Sequence, residues 1–234
     1  MCHDGVVPAP ERRLTPRERV RAEVTAEILD AAHRQLADGG ATHISLRAVA
    51  RELQMASSAV HRYFATRDDV ITALLLREYT ALADALTAAE AAVPRADYHG
   101  RIEALFLAER RWALDHPHSW GLLFGEPVPG YAAPEATTDP ATRFFQLLAG
   151  IHDDAPTPAA PPPGAFAVPA QTVPDAATIA PGVRDWQLTV AMAAGAWMFG
   201  SISAEVWGHF GHRNDLEPLY RAGVQHWAHL LLGP

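Results

Sequence analysis

The stretch that decides the fold runs Ser45-Leu-Arg-Ala-Val-Ala-Arg-Glu-Leu-Gln-Met-Ala-Ser-Ser-Ala-Val-His-Arg-Tyr-Phe64. Its apolar residues recur at helical spacing on one face, first at Leu46, Val49, Ala50 and Leu53 and then at Val60, Tyr63 and Phe64. Residues 54–56 interrupt this spacing. Two short amphipathic helices separated by about three residues predict a helix-turn-helix, whose second helix can enter the major groove of DNA.

The flanking residues place one helix before this motif and one after it. Thr15-Pro-Arg-Glu18 predicts a helix start, because threonine can cap, proline suits the first helical position and glutamate completes a capping box. Gly39 and Gly40 end that helix. Thr66, followed by Asp68 and Asp69, begins a further helix that we expect to run to about Ala92. Residues 15–66 are therefore predicted to be the helix-turn-helix domain, preceded by a disordered arm at residues 1–14.

The remaining residues, 67–234, carry helical patterns and no convincing strand pattern. After the fourth helix, further helices are expected at about residues 101–116, 118–124, 139–151, 184–210 and 215–232. Residues 152–183 contain eight prolines and few large apolar groups, which predicts a loop with little regular structure. The predicted fold class is therefore all-α.

The composition limits the class of protein. A hydrophobic content of 49% allows a sizeable core, no apolar run is long enough for a membrane span, and the N-terminus lacks a signal-peptide pattern. Cys2 is the only cysteine, so no intrachain disulfide can form, and we expect a cytoplasmic protein.

The net charge of -8 arises outside the helix-turn-helix. Residues 1–70 hold ten Arg and ten acidic residues, whereas residues 71–234 hold nine Arg and seventeen acidic residues. A neutral domain can still bind phosphates when its arginines gather on one face. The charge balance therefore does not exclude a nucleic-acid partner.

At these residues the chain resembles the TetR family of bacterial transcription regulators, closely so over residues 16–70. The matching positions are Ile28-Leu29 and Ala31-Ala32 in the first helix, Ser45, Val49 and Ala50 in the second, and Arg62-Tyr63-Phe64 followed by Arg67-Asp68-Asp69-Val70. Two later segments, residues 111–125 and 205–212, resemble the WHG type of TetR C-terminal domain. The resemblance implies an all-helical dimer, with an N-terminal three-helix DNA-binding domain and a C-terminal helical ligand-binding and dimerisation domain at residues 67–234.

Four residues depart from the family pattern. Gln54 stands in the turn where glycine is usual, at a position that can require a positive φ. Ala56 replaces the serine that caps the recognition helix, so we expect Ser57 to take over the cap with a shift of one residue. His61 replaces a phosphate-contacting tyrosine. Arg67 replaces a lysine near the fourth helix and keeps its charge.

The residues expected to meet DNA belong to the recognition helix and its approaches: Thr42, Arg47, Ser57, Ser58, Ala59, His61, Arg62 and Arg67. Serine and histidine can reach phosphates or base edges, and Ala59 can contact a thymine methyl. Val60 and Phe64 are expected to be buried. Thr42 and Arg47 are assigned to phosphates, although a solvated charge explains Arg47 equally well.

His61 allows two interpretations. Imidazole titrates near neutral pH, so the residue could act as a pH switch in DNA binding. Alternatively, it is a neutral hydrogen-bond donor that stands in for tyrosine. We favour the neutral donor.

A pocket for a small, largely apolar effector is expected between the C-terminal helices, where helical bundles hold ligands. The lining candidates are Trp112, His116, Trp120, Phe124, Tyr131, Trp197, Glu205 and His209. Most aromatic residues at helical spacing belong to a core, so only a subset of these would face a ligand. Glu205, His209 and His212, with His116 or His118, have the residue types of a metal site. Their spacing is not diagnostic, so no metal and no cofactor is predicted.

The last two helices are apolar on more than one face, which exceeds what a single chain needs to bury. A homodimer contact through four antiparallel helices would cover the second face. The candidates for this contact are Trp186, Met192, Leu219, Trp227 and Leu230. A dimer also suits a palindromic double-stranded DNA operator, since two recognition helices must meet successive major grooves about 34 Å apart.

The predicted function is a ligand-responsive transcription regulator, a repressor in its simplest form, that associates with the nucleoid when bound to its operator. A ligand would shift the fourth helix and change the separation of the recognition helices. No nucleophile–base pair or glycine-rich phosphate loop supports an enzyme. Two alternatives stay open. One is a helical small-molecule-binding protein or enzyme with a relict helix-turn-helix. The other is a DNA-bound protein that is either controlled by a partner protein docking on residues 152–183 or not regulated at all.

Overall fold

The structure is a computed structural model that describes residues 15–156, 161–163, 184–211 and 215–233. Over these ranges the regular secondary structure is helical, without a strand, which confirms the predicted all-α class. The chain divides into two compact units, residues 1–71 and 72–234. The predicted arm at residues 1–14 and most of the proline-rich segment lie outside the described residues. No helix within the described ranges is long and apolar enough to cross a membrane.

The N-terminal unit contains α1 (Pro16–Gly39), a 3₁₀ turn (Ala41–His43), α2 (Leu46–Glu52) and α3 (Ser57–Val60). α1 begins where the sequence predicts. The Thr15 hydroxyl accepts a hydrogen bond from the Glu18 N–H at 3.3 Å, and the Glu18 carboxylate accepts one from the Thr15 N–H at 2.8 Å. This capping box satisfies N–H groups that a helix start leaves unpaired.

The predicted apolar faces form the core of the N-terminal unit. The side chains that are at most 8% exposed include Ile28, Ala32, Leu36, Val49, Val60 and Phe64. The expected burial of Val60 and Phe64 is thus confirmed. Each large apolar side chain buried in this way contributes roughly 1.5–3 kcal/mol, so α3 is fixed to the unit by its apolar side.

The turn between α2 and α3 contains a left-handed residue at Gln54, whose φ is 54°. The Met55 N–H, which follows it, donates to the Ala50 carbonyl at 2.8 Å. Ala56 is the cap residue of α3 and makes no side-chain capping bond. The expected transfer of the cap to Ser57 is therefore wrong, because Ser57 already lies in the first turn of α3.

α4 (Arg67–Ala91) begins in the N-terminal unit and continues into the C-terminal unit. Thr66 caps it as predicted, since its hydroxyl accepts from the Asp69 N–H at 3.1 Å and the Asp69 carboxylate accepts from the Thr66 N–H at 2.8 Å. The C-terminal unit adds the following helices: α5 (Tyr98–Asp115), α6 (Pro117–Phe124), α7 (Thr138–Ala141), α8 (Arg143–Asp154), α9 (Asp185–Val206) and α10 (Glu217–Leu232).

The ends of some helices differ from the sequence prediction. The single helix expected at residues 139–151 is split at Thr142 into α7 and α8. α9 stops at Val206 rather than near residue 210, because Gly208 has a φ of 72° and leaves the helical conformation. α8 continues to Asp154, inside the predicted loop.

α5 packs against α8, α9 and α10 in the C-terminal unit. Its buried face includes the side chain of Arg101, which is 1% exposed. The Arg101 guanidinium donates to Glu90 at 2.6 Å, to Asp154 at 2.9 Å and to the Arg95 carbonyl at 3.1 Å. A buried cation is stable when it is paired and hydrogen-bonded in this way. These bonds join the last turns of α4 and α8 to α5.

Replacing Gln54 with glycine is expected to raise the free energy of unfolding by up to about 1 kcal/mol, because glycine adopts a positive φ without the contacts of a Cβ. The greater freedom of glycine in the unfolded chain offsets part of this gain. The Tm should rise by up to about 4 °C for a chain of this length, measured by circular dichroism during heating. Gln54→Ala is the control, since it keeps the Cβ and should leave the Tm unchanged. A lower Tm for Gln54→Gly would contradict strain at this residue.

Candidate nucleic-acid interface and ligand pocket

The predicted DNA-facing residues lie in α3 and in the turn His61–Tyr63 that follows it. Ser57, Ser58, His61 and Arg62 are exposed, and Ala59 is half-buried. Val60 faces the core and is 0% exposed. The helix and the turn therefore present hydroxyl, imidazole and guanidinium groups on the side that does not pack.

The His61 ring is engaged with the backbone. Its Nδ1 lies 3.1 Å from the Ala65 carbonyl oxygen. A carbonyl oxygen only accepts, so Nδ1 carries the hydrogen in this arrangement and Nε2 of the neutral ring is an acceptor. This contact sets the orientation of the ring, and both interpretations of His61 remain predictions.

The approach to α2 carries the other predicted contacts. Thr42 lies in the 3₁₀ turn and Arg47 in the first turn of α2, and both are exposed. Arg67 differs, because its Nη2 donates to the Ala41 carbonyl oxygen at 2.7 Å. Thr42 and Arg47 thus remain predicted phosphate contacts, whereas Arg67 is engaged within its own unit.

Other arginines of the N-terminal unit make contacts within that unit. Arg34 pairs with Glu52 at 2.6 Å, and the Arg21 guanidinium lies 5.1 Å from the ring centre of Tyr63. Contacts of this kind near the surface contribute at most about 1 kcal/mol each. They engage positive charge that would otherwise be available to DNA.

A pocket of about 450 Å³ lies between α9 and α10 in the C-terminal unit. Its lining includes Trp197, Ser201, Glu205, Phe210, Leu219 and Tyr220. Trp197 and Glu205 are among the predicted pocket residues, whereas Leu219 is one of the predicted dimer contacts. An apolar wall with a few polar groups and a volume of this size are usual for a small-molecule site.

The floor of the pocket is a pair of stacked aromatic rings. The ring centres of Trp197 and Tyr220 are 5.0 Å apart, with planes inclined by 21°. The Trp197 indole lies against Gly223 of α10, where a Cβ would overlap the ring. The Tyr220 hydroxyl donates to the Phe106 carbonyl at 3.2 Å. Burial raises the pKa of this phenol, so it stays a neutral donor.

The pocket wall contains the Glu205 carboxylate, which forms a bidentate ion pair with Arg110 of α5. The Arg110 Nε and Nη2 atoms lie 2.8 and 2.6 Å from its two oxygens. The Arg110 Nη1 lies 3.5 Å from Glu217, and the guanidinium carbon lies 5.7 Å from the Tyr220 ring centre. Glu205 is therefore held in one direction, and each oxygen keeps a lone pair for a donor on a ligand.

The neighbour of Arg110 on α5, Glu109, has no counterion in the described part of the chain. Its side chain is 1% exposed, and Oε2 has no hydrogen-bond partner among the described residues. Burial raises the pKa of this carboxyl from 4.5 to about 8. Glu109 is therefore neutral at pH 7, in contrast to Glu205.

Sequence reasoning misses Glu109, Tyr220 and Gly223. A glutamate on a helix is normally exposed, so no local pattern indicates the burial of Glu109. Tyr220 and Gly223 are three residues apart on α10 and therefore share a face. That spacing is the signal that could have placed them together.

Two predicted pocket residues, Trp120 and Phe124, lie in an aromatic cluster. Trp120 is 0% exposed, and its indole N–H donates to the Ser203 hydroxyl at 3.0 Å. The Trp120 and Phe124 ring centres are 4.4 Å apart, and those of Phe124 and Phe199 are 4.9 Å apart. These rings pack against one another and are not part of the pocket lining.

The remaining predicted pocket residues also lie away from the α9–α10 pocket. Trp112 is buried and stacks on the exposed His116, with ring centres 4.9 Å apart. The Tyr131 hydroxyl bonds to the Thr72 hydroxyl at 2.9 Å. His209 is exposed after the end of α9. The structure thus brings only Trp197 and Glu205 of the predicted set to this pocket.

The considered metal site is not assembled by the described residues. Among them, no group of three or more His, Cys, Asp or Glu side chains is placed to hold a metal ion. Both Glu205 oxygens accept hydrogen bonds from Arg110. His212 lies outside the described residues.

The predicted dimer contacts fall into two groups. Trp186 and Leu230 are 7% and 4% exposed within a single chain. This corrects their assignment, because packing inside the protomer already covers them. Met192 and Leu219 are 45% and 66% exposed, and Trp227 is half-buried. The latter three remain available to a second copy.

The sequence matches two family models, in the same order as the two units. Residues 28–74 match the family of bacterial regulatory proteins, tetR family. Residues 102–227, more than half of the chain, match the tetracyclin repressor-like C-terminal domain. The chain belongs to the TetR family. The resemblance found in the sequence is thereby confirmed for both the helix-turn-helix and the C-terminal domain.

Curated relatives of this TetR-family chain include two HTH-type transcriptional regulators, Rv1816 of Mycobacterium tuberculosis and Mb1846 of Mycobacterium bovis. Each is 42% identical over 142 residues, which covers 58% of this chain and 61% of the relative. The match thus spans less than two thirds of the length of these relatives.

Solved structures show the same fold. The crystal structure of SCO4313, a candidate regulatory protein, is 36% identical with a TM-score of 0.74, and the match covers 94% of this chain and 100% of that one. The TetR-family transcriptional regulator PfmR of Thermus thermophilus has a TM-score of 0.57 at 16% identity, with 88% of this chain and 96% of that chain covered. This second likeness concerns the fold alone.

The contribution of Glu109 to the stability of this TetR-family chain is expected to fall as the pH rises from about 4.5 to about 8. In that window Glu109 ionises in the unfolded chain and stays protonated in the folded one, so the folded state binds more protons. The contribution of the group is fully present below its unfolded pKa and is lost as the pH rises through its folded pKa. The slope is up to about 1.4 kcal/mol per pH unit, measured by urea unfolding at several pH values.

Glu109→Gln is expected to flatten this slope, because an amide does not ionise. Glu126→Gln, at an exposed residue, is the matched control and should keep the native slope. An unchanged slope in Glu109→Gln would show that Glu109 is already ionised in the folded protein.

Proposed function

We propose that this chain is a ligand-responsive transcriptional repressor that acts as a homodimer on a palindromic DNA operator. The observation that carries the proposal is the division of α3 into two sides. Val60 fixes the apolar side of α3 in the core, while Ser57 and Ser58 of α3 and His61 and Arg62 directly after it are exposed. A helix attached in this way can lie in the major groove while its domain stays folded. Membership of the TetR family supports the same role.

The proposed DNA contacts differ in chemistry. Arg62 has the fork of donors that pairs with guanine O6 and N7 or with phosphate oxygens. Ser57 and Ser58 can reach phosphates or base edges, and Ala59 can contact a thymine methyl. Phosphate contacts by Thr42 and Arg47 would set the register of the domain on DNA. Because residues 1–70 are neutral overall, affinity depends on the placement of a few arginines rather than on a broad positive field.

The homodimer is proposed to form through α9, α10 and residues 207–211, which follow α9. Large apolar side chains are exposed there, at Met192, Trp207, Phe210 and Leu219. Exposed apolar patches of this kind mark interaction sites, and a two-fold dimer would cover them on both copies. The same symmetry would present two α3 helices to successive major grooves.

The proposed effector is small and largely apolar. The stacked rings of Trp197 and Tyr220 offer it a flat apolar surface, and Glu205 offers an acceptor. Since Arg110 already neutralises Glu205, a neutral donor such as a hydroxyl group fits the wall, whereas an anion would meet the Glu205 carboxylate. Leu219 lines the pocket and is also a proposed dimer contact. The effector and the second copy would therefore contact the same side chain.

The proposed response has two states. The effector must bind one arrangement of the dimer more tightly than the other, because equal affinity for both shifts nothing. Glu205 connects the pocket wall to α5 through Arg110, so an effector that reorients Glu205 also acts on α5. α4 belongs to both units and is the proposed element whose shift changes the separation of the two α3 helices.

A helical small-molecule-binding protein or enzyme with a relict helix-turn-helix is the second candidate. The left-handed Gln54 and the absence of a side-chain cap at Ala56 favour it, because each weakens α3 or its turn by about 1 kcal/mol. The pocket alone would then be the functional site. Binding of specific DNA separates the two candidates.

Selection of genomic DNA fragments by the purified protein is expected to recover a short palindrome, with half-sites about 34 Å apart. Affinity for it should exceed that for random DNA by at least about 10³-fold. Arg62→Ala should cost about 1–3 kcal/mol of binding free energy, measured by fluorescence anisotropy.

Arg34→Ala is the matched control for Arg62→Ala. It also removes one exposed arginine of the N-terminal unit, but this arginine pairs with Glu52, and operator affinity should change little. Weak, salt-sensitive binding that is equal for all sequences would contradict the repressor and favour the second candidate.

Gly223→Ala is expected to abolish effector binding in the pocket, because the added Cβ would displace the Trp197 ring. Overpacking of this kind costs about 1–3 kcal/mol of stability. Gly200→Ala on α9 is the control, since a Cβ there meets open space. A thermal-shift screen of small aromatic compounds should find molecules that raise the Tm of the native protein and of Gly200→Ala only. Compounds that stabilise all three proteins equally would place the effector elsewhere.

A further inference from the structure

Arg67, the first residue of α4, is turned toward the backbone of its own unit. Its Nη2 donates to the Ala41 carbonyl oxygen at 2.7 Å, and its Nε is buried with no hydrogen-bond partner among the described residues. The side chain is 33% exposed, so protein covers most of it. A guanidinium held at one end has a fixed direction, because its five donors lie in one plane.

The carbonyl that Arg67 holds belongs to the segment between α1 and α2. Ala41 is the first residue of the 3₁₀ turn Ala41–His43. At the other end of the segment, the Gln35 side-chain oxygen accepts from the Ser45 N–H at 2.9 Å. The segment is therefore attached to α1 by Gln35 and to α4 by Arg67.

Thr42 lies inside this attached segment and is exposed. It is a proposed phosphate contact, and a hydroxyl donates a useful hydrogen bond only within a narrow range of distance and angle. The contact therefore depends on where the backbone of the turn is held. Arg67 bonds to the residue directly before Thr42 and is placed to set that position.

The surroundings of Arg67 disfavour a phosphate contact by Arg67 itself. The Asp68 carboxylate lies 4.0 Å from its Nη1, and the Asp69 carboxylate follows in the same turn, bonded to the Thr66 N–H. Carboxylates beside a guanidinium repel an approaching phosphate. The buried Nε–H also faces protein rather than DNA.

We propose that Arg67 is a positioning residue for DNA binding. It holds the Ala41–His43 turn so that Thr42 meets a phosphate, and it does not neutralise a phosphate itself. The proposal rests on the proposed DNA-binding function and replaces the direct contact expected for Arg67 from the sequence. Because Arg67 is the first residue of α4, the same hydrogen bond ties the start of α4 to the approach of α2.

The salt dependence of operator binding tests the proposal. Each phosphate that an arginine neutralises contributes about 0.9 to the slope of log K against log salt concentration. Arg67→Met should weaken operator binding about tenfold, the effect of one lost hydrogen bond to a charged group, and leave the slope unchanged. Arg47→Met is the matched control and should reduce the slope by about 0.9. A reduced slope in Arg67→Met would overturn the proposal.

A double-mutant cycle asks whether Arg67 acts through Thr42. Thr42→Val should weaken operator binding in the native background and have little further effect in the Arg67→Met background, because the turn is no longer held. Equal effects of Thr42→Val in the two backgrounds would mean that the residues act independently, and the proposal would fail.

Arg67→Lys covers the case in which Arg67→Met does not fold. Lysine neutralises a phosphate as well as arginine does, but its ammonium lacks the planar fork. Operator binding should therefore stay weaker than native at every salt concentration, and full native affinity would overturn the proposal.

Amide hydrogen exchange of the free protein gives a readout without DNA. Residues 43–45 should exchange faster in Arg67→Lys than in the native protein, because the turn opens more often. Unchanged exchange would contradict a positioning role. If the native protein selects no operator, the proposed function fails, whereas the exchange result still decides whether Arg67 fixes the turn.

Discussion

The ion pair between Arg110 and Glu205 connects the interior of the C-terminal unit to its pocket. Arg110 belongs to α5, which packs against α8, α9 and α10, and its two hydrogen bonds reach Glu205 near the end of α9. Removing Arg110 would leave the carboxylate of Glu205 uncompensated in a largely buried position, at a cost of about 3–5 kcal/mol. The same carboxylate is part of the pocket wall. A ligand at this wall therefore meets a polar group whose direction is set by the core.

Glu109 and Arg110 are adjacent on α5 and accommodate burial in different ways. Arg110 keeps its charge because Glu205 and Glu217 neutralise it. Glu109 has only burial acting on it, which raises the pKa of the carboxyl to about 8 and removes the charge instead. Burial also raises the pKa of the Tyr220 phenol and keeps it neutral. The interior of the unit thus holds polar groups with little net charge.

The helix-turn-helix could be predicted from sequence because its signals are local. The capping box at Thr15 and the left-handed Gln54 each depend on residues within one turn of chain. Most of the pocket lining could not be predicted, because Trp197 and Tyr220 meet only when α9 packs on α10. Periodicity shows that a helix has a second apolar face but not whether the same chain covers it. For this reason the sequence predicts a dimer contact at Trp186, although packing within the protomer buries this side chain.

Arg101 fixes the last residue of α8. Its guanidinium holds Asp154, the last residue of α8, to α5 and to Glu90 in the last turn of α4. The end of α8 is therefore held by contacts that do not depend on the chain beyond Asp154. Because one guanidinium serves both helices, losing it would release the last turn of α8 and the last turn of α4 together.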